Sequence, residues 1–206
     1  MTHAPHGPDP DTAHFDAEGR PRPWPRRGSR HGEPLVLFRP RWDLLQNPRN
    51  GREFERLVLE TPDWVNVVAL TPRRELVLVE QYRFGTGTVT LEIPGGVIDL
   101  GEPHEHAARR ELAEETGHTG GTWTYLGAVE PNPAFQTNVC HHWLAEGVER
   151  TGRQGLDAGE DIAIRTLPLE AALRAVREGL IRHALVVTAL ARVADLRVAH
   201  LAPGGG

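Results

Sequence analysis

The sequence predicts an α+β domain in which a mixed β-sheet is packed between helices. Three observations lead there. From Leu35 onward, short segments rich in Val, Leu, Ile and Thr are separated by Pro, Gly, Asn and Asp turns, the pattern of successive strands. Between Pro103 and Thr116 the period changes to that of a helix, and two further helical patterns close the chain after more strands. At 206 residues, 39% of them hydrophobic, the chain can bury one sizeable core, with little left over for a second.

Taken in order, residues 1–32 are dense in Pro, Gly, His and Arg and bury too little to offset ordering entropy, so an arm without fixed structure is expected there. Residues 33–60 read as a β segment, with strands at Leu35 to Phe38 and Phe54 to Thr61. The main domain is expected over 61–200. Its strands are Trp64 to Leu70, Glu75 to Arg83 and Val89 to Ile93. Pro103 to Thr116 carries an Ala107, Ala108, Leu112 stripe at helical spacing; Pro103 suits a first helical position, and Gly117 suits the left-handed residue that ends a helix. Strands follow at Trp123 to Val129, Asn138 to Ala145 and Asp161 to Leu167, then helices at Leu169 to Glu178 and Leu180 to Leu196. No internal repeat is present.

Composition excludes several functions. A net charge of −5 offers no basic stripe for a nucleic acid. Cys140 is the single cysteine, so neither an intramolecular disulfide nor a thiolate zinc site can form, which suits a reducing compartment. No stretch has the pattern of a signal peptide or approaches the roughly 20 apolar residues of a membrane span, so a cytoplasmic protein without a membrane partner is expected.

The chemistry concentrates in GVIDLGEPHEHAARRELAEETGH, Gly96 to His118. Glu111, Glu114 and Glu115 stand at i, i+3 and i+4, which a helix gathers into one sector about 100° wide. Three like charges weaken a helix unless a cation sits among them. Carboxylate oxygens favour Mg2+ or Mn2+, and Mg2+ commonly keeps room for substrate phosphate oxygens. A solvated acidic face is the ordinary fate of such a run, but upstream LEIPGG reads as a buried strand entering a glycine turn, where Gly95 and Gly96 leave the backbone open to a metal or phosphate. His104 and His106, and His141 and His142, point apart in a helix or strand and suit structural or surface roles.

Gly96, five residues, Glu102, seven residues, and then Arg110, Glu111, Leu112, Ala113, Glu114, Glu115, Thr116 and Gly117 resemble the Nudix box. Only His118 departs, standing where that family carries an aliphatic residue. The resemblance implies the Nudix fold, with Glu111 and Glu115 as principal metal ligands and catalytic residues, Glu114 assisting, and the Gly95 carbonyl completing the sphere. It implies that Glu102 pairs with Arg110 to brace the loop against the helix. Glu92 is a further candidate ligand or a strand-end surface carboxylate. A general base is expected from LDAGEDIAI, with Glu160 the candidate and Asp157 and Asp161 as neighbours.

Flanking segments resemble the ADP-ribose pyrophosphatase branch. EQYRFGTG carries Arg83, which could hold a phosphate as a fork or pair with Glu80. GAVEPNPAFQTN places Pro131 and Pro133 beyond the box, with Pro133 a candidate substrate-loop residue. The Leu35 to Leu59 segment resembles the N-terminal antiparallel sheet through which these enzymes form homodimers. Trp42 and Trp64 are aromatic residues that could stack on a base or fill a core. The expected substrate is a nucleoside diphosphate joined to a sugar, such as ADP-ribose or GDP-mannose. A nucleoside triphosphate sanitising enzyme and a non-catalytic nucleotide-sugar sensor are the alternatives.

Overall fold

The computed structural model describes residues 22–196. Two sheets organise them. The first is three-stranded and antiparallel, built from β1 (Arg26–His31), β2 (Arg39–Gln46) and β3 (Glu53–Glu60). The second joins β4 (Trp64–Leu70), β5 (Glu75–Arg83), β6 (Thr88–Glu92), β7 (His118–Val129), β8 (Cys140–Arg150) and β9 (Ile162–Pro168), in the order β6-β5-β4-β8-β7 with β9 on β5. It is mixed, because β4 runs parallel to β8 while the other pairs are antiparallel.

The N-terminal antiparallel sheet is as expected, but its strands fall elsewhere than the sequence suggests. Part of the expected arm, Arg26–His31, is a strand paired with β2 across a bulge near Arg26; residues 1–21 lie outside the described residues. Polar contacts hold it where apolar burial does not: Ser29 donates to Asp43 Oδ1 at 2.6 Å, and Arg30 forks onto Glu55 at 3.0 and 3.1 Å. Trp24 also packs on Phe54, with ring centroids 5.8 Å apart. Leu35 to Phe38 is not a strand; it is the link between β1 and β2, closed by Leu35 N–H donating to Phe38 O at 2.8 Å. The strand is instead β2, whose buried Asp43 receives Arg41 at 3.0 Å through both Nε and Nη2.

In the main domain, β4 is buried along nearly its whole length because both of its faces are covered. On one face α1 (His104–Thr116) lays Ala107, Ala108 and Leu112 on Val65, Val67, Ala69, Trp143 and Ala145. On the other, α2 (Leu169–Arg177) and α3 (Ala184–Ala191) pack Ala172, Leu173, Val186 and Leu190 on Val68, Leu70, Leu76 and Leu78. The mixed sheet between helices is thus as expected. Helix α3 is shorter than its apolar pattern, because Gly179 at φ 76° turns the chain and Leu180 and Ile181 N–H fold back onto Ala175 O.

One splay creates the site. β4 and β5 share only the Leu70–Leu76 pair at their hairpin end and then part. The chain leaving β6 fills the gap: Val67 N–H donates to Pro94 O at 2.8 Å, and Val65 and Gly96 exchange bonds at 2.9 and 3.1 Å. The glycine turn is therefore seated on the innermost strand. Among the described residues, no helix is long and apolar enough to cross a membrane.

Candidate active site

A cleft of about 460 Å³ opens where β4 and β5 part. It is lined by the Gly95–Val97 turn, by Glu111, Glu114 and Glu115 of α1, by Gln81 and Arg83 at the end of β5, and by Asp157 and Glu160 of the loop before β9. The helix that carries the carboxylates ends as the sequence predicts: Gly117 adopts φ 70° and its N–H caps Ala113 O. His118, where the family carries an aliphatic residue, begins β7. It is buried, its Nδ1 lies 3.0 Å from Thr116 Oγ1, and burial holds its pKa below the usual value, so it packs as a neutral ring.

The three glutamates are not equivalent. Glu115 is 3% exposed, and burial pushes its carboxyl up to about 8, although the Gly95 N–H at 3.0 Å works against that. Burial also raises Glu111, opposed by Arg110. Glu114 is the most exposed of the three. The charge of Glu160 is felt at both Glu111 and Glu115, raising each. A cluster of buried carboxylates whose pKa values rise is short of positive charge, the condition a divalent cation relieves.

Arg110 supplies part of that charge. Its Nε and Nη2 grip Glu102 Oε1 and Oε2 at 3.0 and 2.9 Å, while Nη2 also reaches Val97 O at 3.1 Å. Asp99 N–H donates to Glu102 Oε2 at 3.2 Å, so the pair staples the loop to the helix. Nη1 bridges Glu111 and Glu114 at 2.9 and 3.1 Å. Among the described residues, no three His, Cys, Asp or Glu side chains converge to hold an ion. The donor set nonetheless fits a hard cation: carboxylate oxygens at helical spacing, two of them buried, facing a turn without side chains. A Cβ at Gly96 would stand 2.5 Å from the Glu111 carboxyl, so this position keeps that room open.

Arg83 lines the same cleft. It does not pair with Glu80, which binds Arg165 at 2.7 Å. Its Nε and Nη2 instead fork onto Glu92 at 2.8 and 2.7 Å. Glu92 is neither a surface carboxylate nor directed at the metal face. It is 1% exposed, Thr90 donates to its Oε1 at 2.5 Å, and His183 Nε2 approaches at 3.8 Å. Sequence reasoning missed this role for Glu92. Register puts Glu92 and Arg83 on one face of the β5–β6 pair but not opposite each other: Glu92 faces Val79 and Arg83 faces Thr88, with Gln81 and Thr90 between, so the contact depends on the reach of the arginine side chain.

Other candidates lie elsewhere. Pro133 is exposed in the loop between β7 and β8 and does not line the cleft; that loop docks on β3, with Leu59 N–H donating to Phe135 O at 2.7 Å. Asp161 does not line it either. Trp42 lies under Arg30, 4.3 Å from its ring centre, and Trp64 begins β4 beside Cys140. Two of the histidines meet across elements, His104 stacking on His141 at 4.3 Å. A shallower depression over Arg26, Arg27, Arg41 and Glu60 lies on the N-terminal sheet, where Asp43 and Glu60 engage Arg41 and Asp43 engages Arg26.

Comparison with known proteins bears on the fold and the family. The chain is 34% identical over 128 residues to a Bacillus subtilis protein named ADP-ribose pyrophosphatase, covering 62% of this chain and 69% of that one. It is 33% identical over 130 residues to a Bacillus methanolicus protein named methanol dehydrogenase activator, covering 63% and 70%. A crystal structure titled as an ADP compounds hydrolase superposes with a TM-score of 0.73 at 24% identity, over 84% of this chain and 92% of the other, which shows a shared fold. Residues 60–186 match the NUDIX domain model, and with the Gly96 to Gly117 part of its box running from a glycine turn through a helix, the chain belongs to the Nudix family of hydrolases.

Proposed function

We propose that this enzyme hydrolyses the pyrophosphate bond of a nucleoside diphosphate joined to a sugar, with ADP-ribose the first candidate and a nucleotide hexose such as GDP-mannose the second. The observation that carries the reading is that one cleft is lined both by the carboxylates Glu111, Glu114 and Glu115 and by the arginine Arg83, held by Glu92. Glu111 and Glu115, with Glu114 and the Gly95 carbonyl, would hold Mg2+, for which Mn2+ can substitute. When bound, the ion supplies neutralisation of phosphate oxygens and a more acidic water.

The chain's own residues do the rest. Arg83 keeps Nη1 for a phosphate oxygen while Glu92 occupies its other edge. Glu160, which lines the cleft, takes the proton of the attacking water. The water oxygen bonds to one phosphorus, the bridging P–O bond breaks, and a phosphate monoester leaves. Glu102 and Arg110 keep the loop and helix in register. The β1–β3 sheet, with exposed Leu44 and Leu57 and the neighbouring Leu35 and Leu37, supports a homodimer interface over residues 33–60, and a single buried free thiol at Cys140 suits the cytoplasm.

Incubation of the pure protein with Mg2+ and ADP-ribose should release AMP and ribose 5-phosphate. No turnover there or on GDP-mannose, with rapid turnover of an oxidised deoxynucleoside triphosphate, overturns the substrate class.

A further inference from the structure

The last turn of a helix leaves four carbonyl groups without helical partners. In α1 this turn also carries Glu114 and Glu115, so whatever satisfies those carbonyls is held in register with the metal face. Gly117 N–H takes Ala113 O at 2.8 Å. The next two go to the segment after β8: Gly155 N–H donates to Glu114 O at 2.8 Å, and Gln154 Nε2 donates to Glu115 O at 2.8 Å. Gln154 Nε2 has a second proton, and it goes to Ile162 O, the first residue of β9, at 3.0 Å. One amide nitrogen thereby joins the end of the catalytic helix to the start of the last strand.

Between these two anchors the chain makes the acidic turn. Asp157 N–H donates to Glu160 Oε2 at 2.9 Å and Glu160 N–H to Asp157 O at 3.0 Å, which closes the turn on itself. These bonds shape the turn but do not attach it to the domain. Its height over the cleft is set at its base.

We propose that Gln154 is a positioning residue for hydrolysis: by tying Glu115 O to Ile162 O through one side-chain nitrogen, it fixes the loop that presents Asp157 and Glu160 to the cleft. This rests on the reading that a carboxylate of the loop assists the attack. An amide suits the position because two N–H groups on one atom serve two carbonyls. A glutamate of the same shape has no proton to give and would set a charge against both oxygens; a leucine of similar size gives neither bond.

The test uses Gln154→Glu and Gln154→Leu, each alone and combined with Glu160→Gln, in the full chain with Mg2+ and ADP-ribose. Each single Gln154 variant should lower kcat about 10-fold or more, as loosened alignment does, while KM stays within about threefold. Hydrogen exchange should quicken over 155–161 and stay unchanged in α1. In the Glu160→Gln background, either Gln154 change should cost less than about twofold further, because the group it positions is gone. Undiminished kcat in both Gln154 variants, or losses that multiply fully in the double variants, overturns the proposal. If Glu160→Gln alone keeps full kcat, the assignment of Glu160 falls by itself. The clamp is then decided by the single variants: lower kcat with faster loop exchange upholds it, and normal kcat or unchanged exchange overturns it.

Discussion

Metal binding at this site should be coupled to proton release, and the coupling can be sized from the burial of Glu115. Burial moves that carboxyl from its ordinary 4.5 to about 8. In the unfolded chain Glu115 ionises near 4.5, so between pH 4.5 and 8 the metal-free native state carries a proton that the unfolded state lacks. Stability of the metal-free protein from this group is therefore greatest below pH 4.5 and falls as pH rises, by about 1.4 kcal/mol per pH unit, or roughly 3 kcal/mol between pH 5 and 7. A cation that requires the carboxylate must displace the same proton, so its apparent Kd should tighten about tenfold per pH unit up to pH 8 and then level off. Glu111 is raised in the same direction and adds to the release. Calorimetric titration with Mg2+ or Mn2+ at pH 6, 7 and 8, in buffers of different ionisation enthalpy, counts the protons directly. At least about one per ion is expected at pH 6. Glu115→Gln has no such proton, and its weakened binding should show a flatter slope. A wild-type Kd that is constant from pH 6 to 8, with no buffer-dependent heat, would refute the reasoning.

Three further outcomes follow from the packing. His142 is fully buried with neither ring nitrogen bonded among the described residues, and burial lowers its pKa to about 4, so the native state refuses a proton that the unfolded chain takes below 6.5. Acid should cost up to about 3 kcal/mol from this residue as pH falls from 6.5 to 4, and His142→Leu should remove that part of the slope in urea titrations; an identical slope in the variant rejects it. Gly117→Ala places a Cβ against the Gly152 carbonyl at a left-handed φ of 70°. It should destabilise by about 2 kcal/mol or more, read as a shifted urea midpoint, and a midpoint like wild type would contradict the clash. Glu92→Gln keeps the shape but loses the charge gripping Arg83, so KM for ADP-ribose should rise several-fold, at the scale of about 1 kcal/mol for a weakened charged hydrogen bond. An unchanged KM and kcat would separate Glu92 from substrate binding.

The parts of this molecule that could be read from its sequence are those whose causes are local. Helix α1 announces itself through its stripe, its glycine cap and its carboxylate spacing, and every one of those signals acts within a few residues. Strand β2 was invisible for the opposite reason. Its sequence, RPRWDLLQ, opens with a proline between arginines and makes sense only beside β1 and β3, where Asp43 and Glu60 receive Arg41. Leu35 to Phe38 shows the converse, a β-rich composition spent on a link, because strand propensity is overridden by what a segment can pair with. Arg83 was legible as a cleft residue, but its partner was hidden across a hairpin. Gln154 carried no signal at all, since an amide in a polar loop reveals its purpose only once two distant carbonyls are brought to it.

The parallel seam between β4 and β8 has a kinetic consequence. It joins residues as far apart in sequence as Asp63 and Val139, 76 positions, so zipping it closes a long loop before the contacts that reward closure exist. The glycine turn is seated on that same inner strand, through Val65 and Gly96. In a refolding protein, helices can form early while the cleft waits for this seam and for the β5–β9 pairing, which joins residues as distant as Glu75 and Pro168.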